Sequence, residues 1–344
     1  MIYSDAHQKH AGAMEYVNGR MVPMFEKPER MDMVLKRLSE VGFGDLHPPE
    51  SFGTAPILRV HEDGYVDFLQ NAYARFREHG DEADFASGFV FAMRGLRQAP
   101  NPNVYAQFGY YTFDLSVPFV EGTWEAIEAS SDVALTGRKA LSERGERAVF
   151  SICRPPGHHA GPALAGGYCY VNNVAVAAQA FRDAGAKKVS ILDVDYHHGN
   201  GTQAIFYDRD DVLFVSLHGD PDQEYPYFAG YAEETGSGAG EGYNVNYPMP
   251  WGTGWQPYAE ALERGIARNR DYRPEVLLVS LGVDTFTEDP ISHFKLGSDD
   301  YLRMGEMIAG LDLPTHFVME GGYAVEEIGV NVVNTLTGFE NAAK

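Results

Sequence analysis

Acidic and imidazole side chains directly follow a hydrophobic run near the middle of the chain. Residues 189–194 are predicted to form the buried end of a parallel strand, and Asp193, Asp195 and His197 lie at or just beyond this end. Because strand side chains alternate between faces, we expect these three side chains to point the same way. Ligands bind at the carboxyl ends of strands in open α/β sheets. We therefore interpret Asp195 and His197 as two ligands of a metal ion.

Three more predicted strands end in residues that could do chemistry. The segments that follow these strands are Arg154-Pro-Pro-Gly-His-His-Ala-Gly161, Gly282-Val-Asp-Thr285 and Glu320-Gly-Gly-Tyr323. A lone Asp after a strand is usually a turn residue or a helix cap, and Asp289 could be such a residue. Four chemically equipped strand ends at one edge of a parallel sheet instead favour a functional site.

The third metal ligand is predicted to be Asp284. Two carboxylates and one imidazole, with a fourth position open, are typical of a catalytic rather than a structural metal. Nitrogen and oxygen ligands without a thiolate suit Zn²⁺, and also Fe²⁺, Co²⁺ or Mn²⁺. Such a metal lowers the pKa of a bound water to about 7 and polarises a carbonyl group.

The other strand-end residues fit a hydrolytic reaction. His158 and His159 lie on a loop flanked by glycines. They could supply a general base and an electrostatic partner if their surroundings set their pKa values apart. The hydroxyl group of Tyr323 could donate a hydrogen bond to an oxyanion. Together with the metal ligands, these residues indicate metal-assisted hydrolysis of an amide or ester.

Regular alternation of strands and helices must position these residues. Strands are expected at 148–153, 189–194, 212–217, 275–281 and 316–320. Helices are expected at 29–41 and 59–73, and from about residues 124, 172, 256, 298 and 325. This pattern predicts an α/β fold, with one domain over residues 1–344 and a mostly parallel sheet covered by helices on both faces. Two segments depart from it, because 11–27 resembles an irregular loop and 80–122 is rich in Gly, Pro and aromatic residues without a clear period.

Composition narrows the function classes. The 344 residues are 44% hydrophobic, without 18 consecutive apolar residues and without an apolar signal segment, so we expect a cytoplasmic protein with no membrane contact. The net charge of −22 argues against nucleic acid as a partner. It could attract a cationic substrate or simply maintain solubility. We expect Cys153 and Cys169 to be buried thiols in a reducing compartment rather than a disulfide.

Several motifs together resemble those of the histone deacetylase superfamily, most closely its bacterial acetylpolyamine amidohydrolases. The motifs are Arg154-Pro-Pro-Gly-His-His-Ala-Gly161, Gly166-Gly-Tyr-Cys-Tyr-Val-Asn-Asn173, Asp193-Val-Asp-Tyr-His-His-Gly-Asn-Gly-Thr202, Leu281-Gly-Val-Asp-Thr-Phe286 and Glu320-Gly-Gly-Tyr323. They occur in the family's order, and the likeness extends from about Arg59 to the C-terminus. The resemblance implies an arginase–deacetylase α/β fold with an eight-stranded parallel sheet.

The resemblance also implies a role for each matching residue. The implied roles are zinc binding by Asp195, His197 and Asp284, general-base catalysis by His159, electrostatic support by His158 paired with Asp193, and oxyanion stabilisation by Tyr323. The implied substrate-binding residues are Gly167, and Tyr168 and Tyr225 as aromatic tunnel walls. A structural potassium ion would be bound by Asp193, Asp195, His197, Ser216 and Leu217. Many family members carry Asp where this chain has Asn200, so an anionic partner for the general base is missing here.

The two irregular segments bear on the substrate. Segments 11–27 and 80–122 look like the insertions through which the polyamine enzymes dimerise and narrow the entrance to their site, so we expect a homodimer. Glu15 matches an acidic position that faces the distant ammonium groups of the substrate in the resembled enzymes. At a second acidic position this chain has Ser116, with Asp114 nearby.

The resulting prediction is zinc-dependent hydrolysis of the acetyl amide of acetylputrescine, acetylcadaverine or acetylspermidine, which are small cationic acetylated amines. An acetyl-lysine protein or peptide deacetylase is the alternative within the same superfamily. A catalytically silent binding module is a third reading. Such a module would lack a metal ligand or the tyrosine, and this chain keeps all of them.

Overall fold

The fold is that of a computed structural model, which describes residues 1–17, 19–95 and 97–343. Residue 18 of the segment 11–27 and residue 96 of the segment 80–122 therefore lie outside the described residues. Two short antiparallel strands, β1 (Met14–Val17) and β2 (Arg20–Pro23), form a hairpin. The strands of the main sheet are β3 (Ala148–Ser151), β4 (Val189–Asp193), β5 (Val212–Gly219), β6 (Asn244–Met249), β7 (Val276–Leu281) and β8 (Thr315–Met319).

The main sheet has the strand order β3-β8-β7-β4-β5-β6, and every neighbouring pair is parallel. The predicted parallel sheet is confirmed, but the predicted count of eight strands in that sheet is wrong, since the main sheet has six strands among the described residues. At the β3 edge, Ile2 donates to Phe150 and accepts from Ile152. It adds one isolated bridge there, because its neighbours leave the edge at once.

Nine helices accompany the strands within the described residues. They are α1 (Glu29–Val41), α2 (Asp63–Glu78), α3 (Val104–Tyr111), α4 (Thr123–Glu143), α5 (Asn173–Asp183), α6 (Asn200–Phe206), α7 (Trp255–Tyr272), α8 (Ser298–Ala309) and α9 (Ile328–Ala342). The end of α1 lies where Gly42 predicts it. Gly42 adopts a left-handed φ of 65°, and its N–H donates to the carbonyl of Leu38. No described helix is long and apolar enough to cross a lipid bilayer.

Helices cover both faces of the sheet, as predicted. Leu192 and Leu277 pack in one hydrophobic cluster with residues of α1, α7, α8 and α9. Ile191 and Leu278, the neighbours of these two leucines along β4 and β7, pack in a second cluster with residues of α4, α5 and α6. Strands β4, β5, β7 and β8 are buried throughout. Burial on both faces explains why these strands are continuous hydrophobic runs in the sequence.

The two segments predicted to be irregular contain regular structure. The segment 11–27 holds the β1–β2 hairpin rather than a loop. The segment 80–122 contains α3, whose Phe108 and Tyr111 are buried in a third hydrophobic cluster together with Phe68 and Phe119. Because this helix has aromatic residues on several sides, it lacks the polar face that would have revealed a helical period.

Candidate active site

The three predicted metal ligands meet at the carboxyl edge of the sheet. Asp195 and His197 follow β4, and Asp284 follows the neighbouring strand β7. All three are buried, and one ligand atom of each lies within 4.8 Å of the others. Nδ1 of His197 is 2.9 Å from Asp284 Oδ2 and 3.5 Å from Asp195 Oδ1.

Charge and space at this cluster both fit a divalent cation. Burial, and next the charge of Asp195, raises the pKa of Asp284 to about 8. Burial alone would lower the pKa of His197, but hydrogen bonds to both carboxylates raise it well above its ordinary value. Two buried carboxylates beside one imidazole thus carry negative charge that a divalent cation would neutralise. The space is kept by glycines, since a Cβ on Gly282 would lie 2.0 Å from Asp195, and one on Gly321 2.5 Å from it.

The tandem histidines have different partners. Nδ1 of His158 lies 3.0 Å from Asp193 Oδ2, whereas Nδ1 of His159 lies 2.7 Å from Asn200 Oδ1. The two imidazole rings are 4.1 Å apart. Burial opposes the charge of His158, but the carboxylates of Asp195 and Asp193 outweigh it and raise the pKa of His158 to about 10. Burial, followed by the charge of His158, lowers the pKa of His159 well below its ordinary value.

These pKa shifts set the two histidines apart. His158 is therefore the more readily protonated ring of the two, and His159 stays neutral. The amide oxygen of Asn200 can only accept a hydrogen bond, so the proton of neutral His159 resides on Nδ1. Nε2 of His159 is then free to accept a proton, as a general base requires.

Glu320 supports the histidine pair, and sequence reasoning missed this role. Its Oε2 accepts hydrogen bonds from the backbone N–H groups of Gly157 at 2.7 Å and His158 at 3.1 Å. The side chain is fully buried at the end of β8. The end of β8 therefore holds the loop that follows β3. A carboxylate directly after a buried strand was the only available signal.

Tyr323 is held by a residue from the first helix. The guanidinium of Arg30 donates to the carbonyl groups of Gly322 and Glu320, each at 2.6 Å, and lies 4.8 Å from the ring centroid of Tyr323. Burial raises the pKa of the Tyr323 hydroxyl well above its ordinary value. The tyrosine therefore stays protonated and can donate a hydrogen bond. Nothing in the helical pattern of α1 distinguished Arg30.

A cavity of about 280 Å³ opens beside these residues. His159, His197 and Tyr323 line it together with the predicted substrate-binding residues Gly167, Tyr168 and Tyr225. Gly167 has a φ of 55°, and a Cβ there would lie 2.3 Å from the ring of His159. The residues lining the cavity include Asp114 and Glu224 but no Lys or Arg among those described.

The aromatic walls are tied to carboxylates. The hydroxyl of Tyr225 donates to Asp114 at 2.6 Å, and that of Tyr168 donates to Glu15 at 2.7 Å. Glu15 is buried in β1, and its other oxygen accepts from the N–H of Phe25. It stands behind Tyr168 rather than among the residues that line the cavity. Ser116 does line the cavity, and its hydroxyl donates to Asp114.

The residues implied for potassium lie on adjacent strand ends. Asp193 of β4 is in register with Ser216 of β5, and Leu217 is the next residue along. Both side-chain oxygens of Asp193 have partners, since Oδ1 accepts from the N–H of Asp195 and Oδ2 contacts His158. The implied potassium site stays a prediction. Cys153 and Cys169 are buried free thiols, as expected.

The family model of the histone deacetylase domain matches residues 24–339. The chain belongs to the histone deacetylase family. Acetylpolyamine amidohydrolase 2 of Pseudomonas aeruginosa is 56% identical over 339 residues, which cover 98% of each chain. Acetylpolyamine amidohydrolase of Mycoplana ramosa is 47% identical over 338 residues, again 98% of each chain.

A solved structure of the histone deacetylase family supports the same assignment. The crystal structure of acetylpolyamine aminohydrolase from Burkholderia pseudomallei superposes with a TM-score of 0.94 at 38% identity, covering 100% of this chain and 99% of that one. As a member of the histone deacetylase family with such relatives, the protein is a hydrolase of the deacetylase type.

Proposed function

We propose that this histone deacetylase family member hydrolyses the acetyl amide of acetylated polyamines and releases the free amine and acetate. The observation that carries the proposal is one cavity that joins a hydrolytic set to an acidic, aromatic lining. His159, His197 and Tyr323 represent the hydrolytic set, while Asp114 and Tyr225 represent the lining. The names of the relatives in Pseudomonas aeruginosa and Mycoplana ramosa support the same substrate class.

A metal ion, which we propose to be zinc, would be held by Asp195, His197 and Asp284. When bound, it supplies Lewis acidity and lowers the pKa of a bound water to about 7. Fe²⁺ or Co²⁺ would suit the same nitrogen and oxygen donors. The structural potassium ion implied for the ends of β4 and β5 is part of the same proposal.

The chain's own residues account for proton transfer and charge stabilisation. Neutral His159 accepts a proton at Nε2 from the water that attacks the acetyl carbonyl carbon. Tyr323 donates a hydrogen bond to the carbonyl oxygen as that oxygen gains negative charge. His158, paired with Asp193, gives electrostatic support beside the reacting group. A proton then passes to the leaving nitrogen, the C–N bond breaks, and acetate and amine are formed.

The cavity lining favours a cationic amine as substrate. Asp114 and Glu224 face the cavity without a compensating Lys or Arg among the described lining residues. Tyr168 and Tyr225 provide apolar ring faces for a methylene chain. The net charge of −22 adds long-range attraction for a cation. A small, linear, positively charged acetylated amine matches all three features.

We also propose a homodimer, because segments 11–27 and 80–122 resemble the insertions through which the polyamine enzymes dimerise. Large hydrophobic side chains are exposed on the β1–β2 hairpin and on the segment 80–122. They include Tyr16 and Met21 on the hairpin and Phe89, Val90 and Met93 on the segment. Large exposed apolar side chains are candidates for a protein interface, so these residues support the proposed homodimer. Light scattering and sedimentation of the purified protein would measure the oligomeric state.

Acetate release tests the substrate. We expect kcat/KM to be higher for acetylputrescine, acetylcadaverine and acetylspermidine than for an acetyl-lysine peptide, on protein of measured metal content. Acetylcadaverine methylated on its free amine keeps the positive charge and serves as a control for the cation. An analogue in which a methyl group replaces the free amine should have a lower kcat/KM. A strong preference for the peptide would overturn the polyamine assignment and favour the peptide deacetylase.

A further inference from the structure

Asp289 lies on the loop after β7, close to the candidate active site. Its side chain is buried, and its Oδ2 accepts hydrogen bonds from the backbone N–H groups of Tyr323 at 2.7 Å and Ala324 at 3.3 Å. Its Oδ1 accepts from the N–H of Ile291 at 3.1 Å. One carboxylate thus joins the loop after β7 to the loop after β8. Both Ile291 and Tyr323 line the cavity.

We propose that Asp289 is a positioning residue that fixes the hydroxyl of Tyr323 for oxyanion stabilisation and the side chain of Ile291 for the cavity wall. The proposal rests on the function proposed above, in which Tyr323 donates to the carbonyl oxygen. Within the described part of the chain, the Asp289 carboxylate accepts hydrogen bonds from backbone N–H groups, so it acts through Tyr323 and Ile291.

Side chains from other segments hold the backbone of residues 320–324 in two ways. Arg30 donates to its carbonyl oxygens at positions 320 and 322. Carboxylates accept from its N–H groups, with Asp195 receiving the hydrogen bond of Gly321 at 2.8 Å. Asp289 accepts hydrogen bonds from the N–H groups of Tyr323 and Ala324. It therefore fixes the peptide from which the phenol projects.

The conformation of Gly322 makes the hydrogen bonds of Asp289 important for the direction of Tyr323. Gly322 has a φ of 127°, a region that glycine enters without steric cost. The peptide between Gly322 and Tyr323 is held on both sides, since Arg30 donates to its carbonyl group and Asp289 accepts from its N–H group. A misplacement of about 1 Å in a catalytic group can cost roughly 100-fold in rate. Without the two hydrogen bonds to the Asp289 carboxylate, this peptide would be held by Arg30 at its carbonyl group and would be free to shift at its N–H group.

A double-mutant cycle separates positioning from general stability. The holoenzyme variants are Asp289→Ala, Tyr323→Phe and the combination, with acetylcadaverine as substrate. We expect Asp289→Ala to lower kcat by about 10- to 100-fold while KM changes by less than about 3-fold. In the Tyr323→Phe background the same change should lower kcat by less than about 3-fold, because the hydroxyl to be positioned is absent.

Asp132→Ala is the matched control. Asp132 is also buried and accepts a hydrogen bond from a backbone N–H, that of Phe52 at 3.0 Å, but it lies on α4 away from the cavity. Burial raises the pKa of both carboxyls, Asp132 and Asp289, to about 6. The control should lower the melting temperature while leaving kcat of the folded protein nearly unchanged.

Equal losses in the wild-type and Tyr323→Phe backgrounds would overturn the proposal, as would a loss below about 3-fold in the wild-type background. If Asp289→Ala does not fold, Asp289→Asn completes the cycle, since its amide keeps only one of the two acceptor oxygens. The cycle is repeated with the Kd of acetohydroxamate as the measured quantity. The carbonyl oxygen of acetohydroxamate takes the place of the amide oxygen of the substrate. If the wild-type protein shows no turnover, only the proposed function is refuted. The positioning role is tested separately by hydroxamate affinity, and additive losses of that affinity in the cycle would refute it.

Discussion

Replacing Asn200 by Asp changes the charge of the group that holds His159, the proposed general base. The amide oxygen of Asn200 lies 2.7 Å from Nδ1 of His159. The substituted carboxylate keeps the acceptor at the same place and adds one negative charge. It favours the cationic form of His159, so we expect its pKa to rise.

The distance sets the size of this rise. The charge centres of a carboxylate and an imidazolium in this contact are about 4 Å apart, and at an effective dielectric constant of about 20 they attract by about 4 kcal/mol, or about 3 pKa units. Asn200 is partly buried, so the new carboxylate loses hydration and part of this gain. We expect a net rise of about 1 to 2 units.

The sign of the effect on activity follows from the role of His159. A general base must be neutral to accept a proton, so a higher pKa keeps His159 protonated, and inactive as a base, up to a higher pH. The acidic limb of kcat/KM should therefore move to higher pH by about 1 to 2 units in Asn200→Asp. Acetate release from acetylputrescine, measured from about pH 5 to about pH 10, reports this limb.

Gln70→Glu is the control for charge alone, because it adds one negative charge at an exposed position of α2. Its acidic limb should coincide with that of the wild type. An unmoved limb in Asn200→Asp, or one that moves to lower pH, would refute the assignment of His159 as the base. Melting temperature and metal content of the variant establish that it is folded and loaded.

Three further predictions concern the oxyanion donor and the metal centre. Tyr323→Phe should lower kcat by about 100- to 1,000-fold with unchanged metal content, and near-normal turnover would contradict the oxyanion role. Gly321→Ala should lower bound metal, measured by elemental analysis, because its Cβ would lie 2.5 Å from Asp195 and 2.7 Å from Asp284; Gly254→Ala, with no atom within 4 Å of the new Cβ, should not. Removal of the metal by a chelator should lower the melting temperature by roughly 5 °C in calorimetry, since a ligand at about 1,000 times its Kd contributes about 4 kcal/mol. An unchanged melting temperature would argue against a folded-state metal site.

The sheet was predictable where burial on both faces produced continuous hydrophobic runs. Strands β4, β5, β7 and β8 lie within a few residues of their predicted bounds. Strand β6 was missed because Asn244, Asn246 and Pro248 interrupt its hydrophobic pattern. Helix α6 was missed because it is short and begins with Asn200 and Gly201, which are residues typical of turns.

The metal triad and the histidine pair could be inferred because parallel strand ends converge, whatever the loops do. The residues that hold the triad and the histidine pair in place could not be inferred from the sequence. Arg30, Asp289 and Glu320 act on backbone N–H and carbonyl groups. Such contacts leave no spacing pattern in a sequence, since the partners are peptide groups that every residue carries. The zinc, potassium and dimer assignments derive from the resemblance and remain predictions.

The contact of Arg30 with Gly322 joins positions 292 residues apart. The loop that carries Tyr323 is therefore shaped by the first helix, and the histidine loop after β3 is shaped by Glu320 at the end of β8. Parallel pairing between such distant segments is slow to form and is absent from short fragments. Deacetylase activity should therefore appear only after folding is complete, because a chain with native strands but undocked terminal segments has no working site. Refolding followed by turnover should lag behind refolding followed by circular dichroism.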